Sequence, residues 1–154
     1  MTTSAKNIAN EFIKKSKEEH RELTNMQLQK LVYIANGFSL ALLGKPLYYE
    51  DTFAWTYGPL IKPLYKSLMN YGSGYVTDYI STNPLDDSVD ELEEDVINYV
   101  WTKYGGLTAF QLSRMTHQAN TPWSITWDRQ NFDIIDRQLI EDYYRGLVCN
   151  SLHN

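Results

Sequence analysis

The residues able to carry chemistry are few and far apart. Histidine stands at His20, His117 and His153, and the single cysteine is Cys149. None of them forms the Cys-x-x-Cys or His-x-x-His spacing that closes ligands round zinc, so neither a metal site nor a metal cofactor is expected. A thiolate nucleophile at Cys149 with His117 as its base would need the fold to join two distant positions, and a lone thiol near a chain end is commonly inert. The glycine loop that cradles phosphate, with its lysine, is absent, and Gly72-Ser73-Gly74 reads as a linker. The chain is therefore read as non-enzymatic and free of cofactors, with the Cys149/His117 pair kept as the alternative.

Three other features admit two readings each. His117 closes the run Ser113-Arg114-Met115-Thr116-His117 just before Pro122-Trp123. Its imidazole either titrates in a functional role or bonds a nearby hydroxyl or carbonyl and orients that turn; the second reading is adopted. The acidic run Asp86, Asp87, Asp90, Glu91, Glu93, Glu94 and Asp95 is either a solvated helix start favoured by the helix dipole or a patch that steers a basic partner. Aromatic residues make up 14% of the chain, and Tyr48, Tyr49, Trp55, Tyr57, Tyr65 and Tyr71 crowd its middle. That is more rings than one small helical core obviously requires, so some are expected at a protein-binding surface.

The elements that must position these residues are helices. A length of 154 residues suits one domain, residues 1–154, with one core. The net charge of -5 disfavours a nucleic-acid partner. No stretch approaches the roughly 18 apolar residues of a membrane span. The first residues lack the apolar core of a secretory signal, and the lone cysteine cannot form an internal disulfide, so a cytoplasmic location is expected. Helical periodicity lapses only over residues 44 to 58, 72 to 88 and 117 to 135.

A first helix, about Thr3 to Glu19, presents Ile8, Phe12 and Ile13 on one side. Thr24 with Gln27 forms a capping box, stapled by Leu23 and Leu28, before a helix that is apolar on nearly every side up to Gly44 and belongs in the middle of the fold. Asp51 to Trp55 could form a short strand, and Gly58-Pro59 is read as opening a helix to Tyr71. Val76 and Ile80 suit an edge strand or an ordered loop equally. Ser88, with Glu91, caps a fourth helix with Leu92, Val96, Tyr99 and Val100 inward; Thr108, with Gln111, caps a fifth. Thr121-Pro122 starts a short turn carrying Trp123 and Trp127, and a last helix runs from about Asp136 to Gly146. The expected fold is mainly α, a bundle of about six helices round a central apolar one, with one or two short β-strands.

Several of these segments match one known pattern in order. Leu28-Gln29-Lys30-Leu31, Gly44-Lys45-Pro46-Leu47, Ala54-Trp55-Thr56-Tyr57-Gly58-Pro59, and Thr116-His117 with Pro122-Trp123 resemble the motifs of the Panacea domain, the SocA-like antitoxin family. The resemblance spans about residues 8 to 146. It implies a mainly α-helical domain of bacterial, phage or mobile-element origin, encoded beside a toxin that it binds and neutralises. The alternative it implies is an adaptor that delivers the toxin to a AAA+ protease through a terminus, Met1 to Lys17 or Leu147 to Asn154. Neither role is enzymatic. The candidate partner-binding residues are Trp55, Tyr57, Pro59, Tyr48 and Tyr65; Gly58, His117, Pro122 and Trp123 are assigned to the scaffold. Neither the toxin's identity nor the oligomeric state is written in the sequence.

Overall fold

The computed structural model describes residues 2–153, and side chains as far as Ser151, so Met1, Asn154 and the His153 side chain lie outside the described residues. In order the elements are α1 (Ala5–Glu19), α2 (Asn25–Leu43), β1 (Phe53–Trp55), β2 (Gly58–Leu60), α3 (Lys62–Leu68) with a 3₁₀ turn at Met69–Tyr71, α4 (Glu91–Tyr104), α5 (Ala109–His117), α6 (Pro122–Arg129) and α7 (Arg137–His153). The fold is mainly α, as expected.

The centre is α2. Thr24 Oγ1 accepts from the Gln27 backbone N–H at 3.2 Å while Gln27 Oε1 accepts from the Thr24 N–H at 2.9 Å, closing the capping box. Leu23 and Leu28 are both buried beside it. Every residue from Leu28 to Leu40 is buried, because α1, α4, α5 and α7 all pack against this helix. Against α7, the Tyr144 ring lies where a Cβ on Gly37 would stand. Only glycine at position 37 lets the tyrosine pack there.

The helices α4, α6 and α7 depart from expectation. Asp90, not Ser88, caps α4: its carboxylate accepts from the Glu93 N–H at 2.8 Å, and Glu93 returns the bond to the Asp90 N–H at 3.0 Å. The buried stripe is then Glu93, Val96, Ile97, Val100, Trp101 and Tyr104, which turns Leu92 and Tyr99 outward. The segment after Thr121 is a helix of 8 residues with Pro122 in its first turn and Thr121 Oγ1 accepting from Ser124 N–H at 3.2 Å. Gly146 does not end α7, which continues to His153.

Pro59 does not open a helix. It lies in β2, which pairs antiparallel with β1 in the register Phe53–Leu60, Ala54–Pro59 and Trp55–Gly58. The Gln29 side chain fixes where the strand ends, accepting from the Ile61 N–H at 3.0 Å and donating to the Ile61 carbonyl at 3.4 Å, so α3 starts only at Lys62. On the other edge of β1, Ala54 N–H donates to Asp133, Phe132 N–H to Ala54 and Ile135 N–H to Thr52, so the segment after the turn at Phe132 lines the hairpin with an isolated antiparallel bridge between Phe53 and Ile134. The stretch with Val76 and Ile80 is an ordered loop: Val76 N–H reaches the Leu23 carbonyl at 2.7 Å, and the Asn10 side chain exchanges two hydrogen bonds with the Ile80 backbone.

Candidate functional site

The β1–β2 hairpin turns through only Thr56 and Tyr57, and three of its backbone carbonyls are held by side chains from three different helices. Trp123 Nε1, from α6, donates to the Trp55 carbonyl at 2.6 Å. Ser113 Oγ, from α5, donates to the Tyr57 carbonyl at 2.7 Å. Lys30 Nζ, from α2, donates to the Pro59 carbonyl at 2.9 Å. Gly58 sits between these anchors at φ +114°, a backbone conformation that side chains rarely tolerate, and a Cβ there would stand 3.1 Å from Lys30 Nζ. A two-residue turn clamped at three points is a rigid platform, and its side chains point where that backbone sends them.

Behind the platform runs a chain of rings. His117 donates from Nδ1 to the Ser113 carbonyl one helical turn back and meets the Trp123 ring edge-on at 5.3 Å. Trp123 stacks on Trp127 at 5.2 Å, Trp127 meets Phe132 at 5.1 Å, and Phe132 meets Trp55 at 5.7 Å. Lys62 Nζ lies 3.9 Å from the Phe53 ring centroid and 5.8 Å from that of Trp55, two rings on the same face of β1. Thus His117 and Trp123 lie under the hairpin, while Pro122, buried, opens the helix that carries Trp123.

In front of the platform opens a groove of about 620 Å³ between the hairpin turn, the start of α2 and the α3–3₁₀ segment. Its walls include Met26, Trp55, Tyr57, Leu60, Tyr65 and Met69. Tyr57 is 69% exposed, with Trp55 and Tyr65 at 37% and 40%. The structure therefore brings three of the five candidate surface residues to one groove. It withdraws the other two: Pro59 is buried in the strand, and Tyr48 is 1% exposed with its hydroxyl bonded to Thr52. Tyr48 lies inside because the chain after Gly44 folds back over α2, where Asn36 Oδ1 accepts from the Leu47 N–H at 2.8 Å. Met26 and Met69 were not legible as groove residues, since nothing local distinguishes a groove-lining methionine from a core one.

Lys30 is the unusual member of the lining. It is 3% exposed and is the one charged residue of α2, and among the described residues no carboxylate forms an ion pair with it. Burial pushes its ammonium down from 10.5 to about 7. Asn25 Oδ1, also buried at the groove, has no hydrogen-bond partner among the described residues.

A model of the family described as "Antitoxin SocA-like, Panacea domain" matches residues 28–124, more than half of the chain. The chain belongs to the SocA-like antitoxin family. It is 26% identical over 136 residues to Antitoxin SocA of Caulobacter vibrioides (strain NA1000 / CB15N), which covers 80% of this chain and 70% of that protein. No solved structure matches it. The Panacea match begins in α2 just before Lys30 and ends just after Trp123, so it contains all three clamps on the hairpin. Membership of this family supports an antitoxin role.

Among the described residues nothing draws the alternative nucleophile towards its base. Cys149 is exposed on α7, and no hydrogen bond among the described residues joins it to His117, whose ring is committed to Ser113 and Trp123. Among the described residues there is no cluster of three or more His, Cys, Asp or Glu side chains able to hold a metal. None of their helices is long and apolar enough to cross a membrane.

Proposed function

We propose that this protein neutralises a cognate toxin, the product of an adjacent gene, by binding it directly and covering the surface the toxin needs. The observation that carries this reading is the hairpin held by Lys30, Ser113 and Trp123, which presents Trp55 and Tyr57 beside an open apolar groove. Large rings on a rigid backbone lose little entropy when they become buried, which is why such residues anchor interfaces. The toxin seats on this groove, and an interface of about 800 Å² per partner around it is enough to block an active site without any chemistry. No catalytic step, cofactor, nucleic acid or membrane enters this mechanism, and it operates in the cytoplasm.

The test is co-expression of the full chain with each product of its neighbouring genes, scoring growth and co-purification. Rescue of a toxic neighbour together with a stable complex is the expected result. Absence of both from every neighbour overturns the reading. A toxin that binds but is neutralised only while a protease is active would replace occlusion with delivery.

A further inference from the structure

The chemistry of the groove also bears on what the toxin places in it, an inference that rests on the groove being the toxin's seat. Its walls are apolar, and neither the lining nor the ion pairs of the described residues supply an acidic partner for the one cation at its base, Lys30. An ammonium carries three N–H donors; Lys30 spends one on the Pro59 carbonyl. Leaving the rest of that charge buried among apolar side chains is costly, and an entering carboxylate would relieve the cost through a charge-assisted hydrogen bond. The approach beside the amine is kept free by Gly58, since a Cβ at that position would stand 3.1 Å from Nζ. Asn25 Oδ1, buried at the same groove without a partner among the described residues, is an acceptor awaiting a donor.

We propose that the toxin segment bound here is an apolar side chain next to an acidic one: the apolar group fills the space between Tyr57, Tyr65 and Met69, and the carboxylate meets Lys30. Asn25 accepts from a backbone N–H of the same segment. Charge complementarity selects this occupant over a purely apolar one. Because Lys30 lies close to half-protonated near neutral pH, the arriving carboxylate draws a proton onto it as it binds.

The experiment is selection of a displayed random heptapeptide library on the full-length protein and on Lys30→Met. On the wild type, peptides pairing an apolar with an acidic residue should rise by about tenfold over peptides without the acid, the ratio expected of one hydrogen bond to a charged group. Lys30→Met should lose the acidic preference. No enrichment, enrichment without an acid, or an acidic preference that survives Lys30→Met overturns the proposal. Should Lys30→Met not fold, the selected peptide with its acid changed to the amide decides the matter on the wild type: binding about ten times weaker supports the proposal, and equal binding overturns it. Growth rescue is scored separately. Rescue lost with peptide preference intact faults the occlusion reading alone; rescue without the preference faults this inference alone.

Discussion

The indole N–H of Trp123 donates to the carbonyl oxygen of Trp55 at 2.6 Å, so a residue in the first turn of α6 holds the tip of a hairpin from another part of the chain. The same indole stacks on Trp127 and meets His117, which makes it the joint between the ring chain and the exposed platform. With the bonds from Ser113 and Lys30, this one ties the geometry of the groove to the interior of the protein.

Replacing Trp123 with Phe keeps a ring in place but removes the donor. The Trp55 carbonyl then loses its partner, at a cost of about 1 to 2 kcal/mol in unfolding free energy. Toxin affinity should fall as well, because the turn is freer before binding. Urea denaturation followed by circular dichroism reads the first effect, and titration calorimetry with the toxin the second. A variant as stable as the wild type would show that the bond contributes nothing.

Gly37→Ala places a methyl group where the Tyr144 ring lies. We expect destabilisation of about 1 to 3 kcal/mol from overpacking of the α2–α7 contact. In a Tyr144→Leu background the same substitution should cost much less, since the flat ring is what fills the gap. A double-mutant cycle in urea measures that coupling, and additive effects would contradict it.

Lys30 gives a pH dependence of defined sign. Its folded pKa is about 7 against an ordinary 10.5, so between those values the unfolded chain holds a proton that the folded chain does not. Wild-type stability therefore gains with rising pH across that window from this residue, at up to about 1.4 kcal/mol per pH unit. The cost of burying the charge is full below the window and gone above it. Lys30→Met has no such term, so its stability relative to wild type should be greatest at the acid end of the window and decline towards its alkaline end. Urea midpoints of both proteins at several pH values check this; a difference that does not vary with pH would refute it.

Cys149→Ser should leave toxin neutralisation and complex formation unchanged, because the thiol is exposed on α7 and touches none of the hairpin's supports. Growth rescue by the variant is the check. Loss of rescue by a folded variant would restore the nucleophile as a serious alternative.

What could be read from the sequence was what neighbouring residues decide among themselves. The capping boxes at Thr24 and Thr108 are set by pairs three residues apart, and the run from Leu28, apolar on nearly every side, announced a helix in the middle of the fold. Gly58-Pro59 misled because its outcome is settled from a distance: Gln29 and Lys30 bind the backbone on either side of Leu60 and hold it extended. Leu92 and Tyr99 were placed inward by a phase that Glu93, Trp101 and Tyr104 override once α4 packs on α2. At the candidate site, ring density pointed to Trp55, Tyr57 and Tyr65, yet the same criterion included Tyr48, which the fold buries. The one charged residue of the central helix, Lys30, was the overlooked signal, because only tertiary packing leaves it without a counter-charge.

The most direct test is the affinity of the toxin for Tyr57→Ala/Tyr65→Ala, two exposed rings on opposite walls of the groove whose removal leaves the hairpin's clamps intact. With folding confirmed by circular dichroism, calorimetry should show binding weakened by about a hundredfold or more, as expected for two interface anchors, with growth rescue lost in step. Unchanged affinity in a folded double variant would mean that the toxin binds elsewhere and that the groove is not its seat.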